Sequence, residues 1–249
     1  MKTINIIGFG NVAFHFIQKI NTLPNYKLQQ VLVRNKKNAK GLLAPDQIVT
    51  QIEQLQVADL TIISVADDAI KEVAEAIPYK NKLIVHTSGT TSMEVLKTHD
   101  RRGVFYPLQT FSKSREVNFQ NIPLCLETNN ENDWNELKAL ASQMSEKVYK
   151  ISSEQRRSLH VAAVFVSNFT NHMYTIGNEI CEENKVPFEV LHPLIEETAA
   201  KIKTLPPLKA QTGPAIRHDE VTLKTHQDFL KNETYKNIYK TITESIQNV

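Results

Sequence analysis

Across the first 151 residues, short apolar runs rich in Ile, Val and Leu alternate with amphipathic stretches, the pattern of a sheet whose strands are joined by helices. Residues 4–8 predict a first strand, 11–21 a helix, 28–34 a second strand, and the lysine-rich stretch after it a short helix. The runs LTIISV (60–65) and LIVH (83–86) are apolar and too short for helices, so both predict buried parallel strands. Helical spacing over 67–77 stops at Pro78, and Thr91 with Glu94 predicts a capping box opening another short helix. Further strands are predicted at 104–108, 123–127 and 147–151, with a helix over 132–145.

The period changes near residue 152. Ser152, with Gln155 three residues on, predicts a capped helix start, and helical signals then continue almost to the carboxyl terminus. The first of these helices extends in the pattern to Asn184, with Pro187 as the stop signal. At 1.5 Å per residue it would span about 46 Å. Its middle, VAAVFV (161–166), is apolar on every side, which predicts burial all round, in a bundle or at a subunit interface. A domain boundary is expected close to Ser152.

Composition narrows the picture by exclusion. At 249 residues, 41% hydrophobic and 22% charged, the chain is an ordinary soluble sequence without repeats or low-complexity tracts. Its net charge of +2 is spread without long like-charged runs, which argues against nucleic acid as a partner. No segment approaches the roughly 18 apolar residues of a membrane span, and the amino terminus lacks the apolar stretch of a signal peptide. Cys125 and Cys181 have no metal-ligand or disulfide-framework spacing, so no metal site is expected and a reduced, cytoplasmic setting fits. Only seven residues are glycine, and two of them, Gly8 and Gly10, fall within the first ten positions.

Those two open GFGNVA (8–13), which follows a predicted strand and begins a predicted helix, the context a dinucleotide-binding GxGxxG/A turn requires. Gly8 permits the tight turn, Gly10 lets a pyrophosphate approach the backbone, and Ala13 keeps the helix close to the strand. With Phe9 between the glycines, the amides of Gly10, Asn11 and Val12 would face an anion at the helix N-terminus. The plain alternative is a strand-to-helix turn without a ligand. At the end of the second strand Arg34 stands where an acid would bind a ribose 2′-hydroxyl, which favours the 2′-phosphate of NADP. The alternative there is a solvated basic helix start. Two later strand ends, SVAD (64–67, with Val65 and Ala66) and HTSG (86–89, with Ser88), are placed to line the adenosine–ribose and nicotinamide sides of a cofactor. Asp67 or Asp68 as an N-cap, Ser88-Gly89 as a simple turn and His86 as a satisfied strand histidine are the structural alternatives.

In the long helix His160, Ser167 and Asn171 fall within roughly 20° of one direction at 100° per residue, with Asn168 at the border of that stripe. His160 is a candidate general acid/base and Asn168 or Asn171 a substrate-orienting group; alternatively all bond to neighbouring helices. TGPAIRHDE (212–220) precedes a predicted helix over 218–230, with Asp219 as N-cap. Arg217 beside that helix start suits a carboxylate or phosphate, or else pairs with Asp219 or Glu220.

The succession GFGNVA, ADLTIISVADDAI, HTSGTTS, YPLQTF, SLHVAAVFVSNF and TGPAIRHD resembles a family of NADP-dependent oxidoreductases. These join an N-terminal Rossmann-like domain to a C-terminal helical domain of unknown function. They are related to pyrroline-5-carboxylate reductase and to the 6-phosphogluconate and β-hydroxyacid dehydrogenases. The resemblance implies an α/β fold, with a doubly wound dinucleotide-binding domain over 1–151 and a helical substrate and dimerisation domain over 152–249. It also implies cofactor contacts through 8–13 and Arg34, a site containing His160, Ser167, Asn168 and Arg217, and a homodimer made through the helical domain. Tyr106 stands where many relatives carry histidine, and His218 where they carry glycine. The expected activity is hydride transfer between NADP and a small, carboxylate-bearing imine, keto acid or β-hydroxy acid, with His160 moving the proton and Arg217 holding the anionic group. The competing expectation is a non-catalytic NADP-binding sensor.

Overall fold

A computed structural model describes residues 1–39 and 41–249. Residues 1–167 form one compact unit and residues 168–249 a second. The first is built on an eight-stranded sheet: β1 (Lys2–Ile7), β2 (Tyr26–Leu32), β3 (Ile48–Val49), β4 (Leu60–Ile63), β5 (Leu83–His86), β6 (Arg102–Pro107), β7 (Leu124–Thr128) and β8 (Val148–Lys150). Its spatial order is 3-2-1-4-5-6-7-8, and β1 to β6 are mutually parallel. β7 runs antiparallel to β6, and β8 runs parallel to β7. The order reverses between β1 and β4, so the carboxyl ends of those two strands flank a topological switch point, where doubly wound sheets bind ligands.

The apolar runs are buried because both faces of the sheet are covered. α1 (Asn11–Ile20) and α3 (Glu131–Met144) bring Phe16, Ile17, Leu137 and Leu140 against one face, and α2 (Ile70–Ala76) brings Ile70 and Ala74 against the other. Asn5 interrupts the apolar run of β1 at an irregularity in the β1–β2 register. Its side chain repairs the ladder, accepting from Gln30 N at 3.1 Å and donating to the carbonyl of Gln56 at 2.7 Å.

Several boundaries differ from the sequence expectation. β3, two residues long, gives no period and was not predicted. The short helix expected after β2 is a 3-10 turn over Lys36–Ala39. The turn predicted to open with Thr91 is capped instead by Ser92, whose side chain accepts from Glu94 N. Asp67 and Asp68 are not caps; the N-cap of that turn is Ala66.

α4 (Ser153–Ala163) begins with the expected Ser152–Gln155 capping box. It does not continue as one regular helix to Asn184. A π-helical segment, Val164–Phe169, leads into α5 (Thr170–Glu183). The wider π turn breaks the 3.6-residue period on which the common direction of His160, Ser167 and Asn171 was counted. Nor is 161–166 buried all round in the single chain: Phe165 is 63% and Val166 74% exposed. The units divide between Ser167 and Asn168 rather than near Ser152, because α4 is bonded into the first unit through Ser153 and Arg156.

The second unit holds α5, α6 (His192–Lys201), α7 (Pro207–Ala210), α8 (Glu220–Phe229) and α9 (Glu233–Gln247). Asp219 caps α8 as expected, accepting from Thr222 N at 3.1 Å. α8 begins two residues later than predicted, because His218 takes the left-handed conformation, φ 52°, before the cap. No described helix is long and apolar enough to cross a membrane.

Candidate functional site

Gly8, directly after β1, has φ 110°, a region that side-chain-bearing residues rarely adopt. A Cβ there would lie 2.0 Å from the carbonyl oxygen of Ser64 at the end of β4, so glycine is what lets the two strands approach at the switch point. Gly10 has an ordinary φ of −74° and is needed for a different reason. A Cβ on it would meet nothing within 4 Å, and the space it would fill is open cleft. Gly10 is also the N-cap of α1, without a side-chain cap and with no acid in the first turn, so the positive end of the helix stands available to an anion. Ala13 is fully buried in the core beneath this turn.

The turn is braced from behind by the segment after β6. Asn11 Nδ2 donates to the carbonyl of Phe111 at 2.9 Å, and Asn11 itself lines the cleft. Lys113 Nζ donates to the carbonyl of Phe9 at 2.8 Å and lies 4.5 Å from the centre of its ring.

The cleft over these strand ends measures about 780 Å³. Phe9, Gly10 and Val12 line it beside Gly8. At one end stands Arg34, exposed, with Asn35 and Thr50. Val65 and Ala66 form the wall at the end of β4, and Ser88 and Gly89 lie beyond β5 with Tyr106 and His160. The structure thus places nine of the ten residues predicted to contact a cofactor on one surface, the tenth being Ala13 below it.

Ser88 is more than a turn residue. Its hydroxyl donates to Asp67 Oδ2 at 2.8 Å and accepts from the amides of Thr90 and Thr91 at 3.2 and 3.0 Å. Thr90 Oγ1 donates to the same carboxylate oxygen at 2.6 Å. From α4, Arg156 donates through Nε to the carbonyl of Ser88 at 3.1 Å and through Nη2 to that of Thr91 at 2.5 Å. Its Nη1 meets Glu127 Oε2 at 2.5 Å. This guanidinium is only 1% exposed. The loop after β5 is therefore gripped on one side by Asp67 and on the other by Arg156.

His86, fully buried at the end of β5, accepts from Ser88 N through Nδ1 at 3.2 Å, as a neutral ring must. Burial, reinforced by the charge of Arg156, lowers its pKa from 6.5 to about 4. Below pH 6.5 the unfolded chain takes up a proton that the folded chain refuses until about pH 4. Stability is therefore expected to fall as pH drops through this window, by about 3 kcal/mol in all. Urea midpoints between pH 7 and 4.5 test this, with His86→Gln expected to flatten the slope; an equal slope in that variant would refute it.

Of the four residues proposed for chemistry, His160 lines the cleft, with Nδ1 3.0 Å from the hydroxyl of Tyr106. Ser167 closes the first unit and is half-buried. Asn168 opens the second and is exposed, as is Arg217 in the turn before α8. The structure adds Tyr106 and Arg156, which sequence reasoning did not assign to the site, and brings Asp67 and Gly89 from the two predicted strand ends into it. Tyr106 was visible only as an unusual residue in YPLQTF. Among the described residues no three His, Cys, Asp or Glu side chains are placed to hold a metal ion.

A parallel sheet of order 3-2-1-4-5-6, a glycine turn at its first crossover and a cleft over the switch point define a Rossmann-type dinucleotide fold followed by a helical unit. The chain belongs to the DUF2520 family, a domain of unknown function whose profile matches residues 122–246. A Bacteroides fragilis protein assigned as an NADP oxidoreductase is 39% identical and superposes with a TM-score of 0.91, covering 100% of this chain and 98% of its own. A Thermotoga maritima protein is similar at 22% identity and TM-score 0.75, covering 98% and 97%. Pyrroline carboxylate reductase of Plasmodium falciparum, solved with NADP bound, shares the fold at 12% identity and TM-score 0.63, covering 99% and 97%. No curated protein matches the chain.

Proposed function

We propose that the chain is an NADP-dependent oxidoreductase acting on a small, carboxylate-bearing imine, keto acid or β-hydroxy acid. The observation that carries this reading is one continuous cleft with an open glycine turn, Arg34 at one end and His160 at the other. The Bacteroides fragilis relative supports NADP as the cofactor. The backbone of residues 8–12 would hold the pyrophosphate and Arg34 the 2′-phosphate. Bound NADPH would supply the hydride, so this chain has only to position the reactants, exclude water and move a proton. His160 is assigned the proton, Arg217 the anionic group of the substrate, and Ser167 and Asn168 its orientation.

A homodimer belongs to the same proposal. In the second unit only Ala215 and Leu223 are buried apolar side chains among the described residues, whereas Val190, Leu194, Leu208 and Phe229 are exposed. A helical unit with so little enclosed core gains most by covering that surface with a second copy. Cys125 and Cys181 are both unpaired, which fits a cytoplasmic setting.

Fluorescence titration with NADPH and NADH tests the cofactor assignment. Arg34→Ser is expected to weaken NADPH by about 10- to 100-fold, the worth of one charge-assisted contact, and to leave NADH unchanged. Equal or tighter binding of NADH by the unaltered protein overturns it. Oxidation of NADPH by a panel of imines and keto acids tests turnover, and binding without turnover would favour a sensor.

A further inference from the structure

The hydroxyl of Tyr106 and Nδ1 of His160 lie 3.0 Å apart where β6 meets α4. Gly89 admits the pair: a Cβ at 89 would stand 2.4 Å from Nδ1 of His160 and 2.9 Å from Cζ of Tyr106. Tyr106 is 8% exposed, and burial, with Cys125 nearby, pushes its pKa up to about 12, so the phenol keeps its hydrogen at neutral pH. Among the described residues that hydrogen has one acceptor, Nδ1 of His160. If Nδ1 carried the ring proton and donated to the phenol, the phenolic hydrogen would lose its partner. Nε2 has no protein partner among the described residues and is not sealed from solvent, so a hydrogen there loses nothing.

We infer that Tyr106 is a positioning residue that holds neutral His160 as the Nε2–H tautomer, so that the cleft offers the substrate a hydrogen-bond donor at this point and not a lone pair. The tautomer stands on the geometry alone. Its meaning for substrate rests on the oxidoreductase reading: a donor suits the nitrogen of an imine or the oxygen of a carbonyl, the members of each redox pair that await reduction. An alcohol or amine, which must surrender a proton, meets the wrong face of the ring. Tyr106 and Gly89 thus bias the site towards acceptor-bearing substrates without touching the glycine turn or Arg34.

Nitrogen NMR of the imidazoles in the full-length protein, without cofactor, reads the tautomer directly, His160 being assigned by its loss in His160→Gln. At alkaline pH His160 is expected in the Nε2–H form. The ratio of Nε2–H to Nδ1–H should be on the order of fivefold to tenfold higher than in Tyr106→Phe, which keeps the ring and removes the bond. A wild-type ring in the Nδ1–H form overturns the inference without any variant, and so does a ratio unchanged in Tyr106→Phe. With NADPH and 1-pyrroline as the probe imine, Tyr106→Phe should lower kcat while leaving NADPH affinity near that of the wild type. Absence of turnover in the wild type would count against the oxidoreductase reading and leave the tautomer result standing.

Discussion

Alanine at position 8 is expected to cost about 3–5 kcal/mol of stability, at the upper end of what single substitutions do. Two causes add. The backbone at Gly8 sits at φ 110°, which a Cβ disfavours, and that Cβ would be driven to 2.0 Å from the carbonyl oxygen of Ser64. That carbonyl is main chain directly following β4, the strand next to β1, and cannot rotate away as a flexible side chain would. β1 and β4 must therefore part at the switch point. Urea unfolding followed by the single tryptophan, Trp134 on α3, measures the loss. Gly10→Ala is the control, since a Cβ at 10 meets no protein atom. Its stability should stay within about 1 kcal/mol of the wild type, while NADPH binding suffers because the methyl group occupies the approach to the turn. Equal stability losses in the two variants would contradict the separate roles given to these glycines.

The second large effect is expected at Arg156. Substitution by methionine should destabilise the protein by about 3–5 kcal/mol, because removing one partner of a buried ion pair leaves the other uncompensated. Here Glu127 loses its guanidinium, and the carbonyls of Ser88 and Thr91 lose a donor each. Methionine preserves most of the buried volume, so the loss reports polar contacts rather than a cavity. Combining it with Glu127→Leu should recover part of the stability, since no unpaired carboxylate then remains. Denaturation of the two single variants and the double variant tests this; a double variant no more stable than Arg156→Met would show that the carboxylate was not the source of the cost.

The parts of the fold legible in the sequence are those fixed by local chemistry. The runs at 60–65 and 83–86 could only be buried strands, and Ser152 and Asp219 act as caps because each cap is completed within four residues. The glycine turn was legible because its flanks announced it. β3 was not, since two residues paired to β2 leave no period. Ser92 displaced Thr91 as a cap because the hydroxyl of Thr91 is turned towards Ser88 Oγ, 3.0 Å away, a contact set by the loop's path. The partnership of Tyr106 with His160 spans 54 residues, and that of Arg156 with the carbonyl of Ser88 spans 68. No helical or strand period connects such positions. Arg156 in particular has no local signal that sets it apart, and only the packing of α4 onto the loop after β5 turns it inward. The stripe built from His160 failed for a related reason: it assumed a uniform pitch through a segment that winds as a π-helix.

Arg156 and His160 are four residues apart on α4, one above the other on the same face. About 6 Å of helix separates them along the axis. The guanidinium, fixed by Glu127 and two loop carbonyls, therefore acts as the zero mark of a ruler whose next graduation is the imidazole. Side chains on such a rigid rod share one coordinate frame, so any slip of the mark passes undiminished to Nε2.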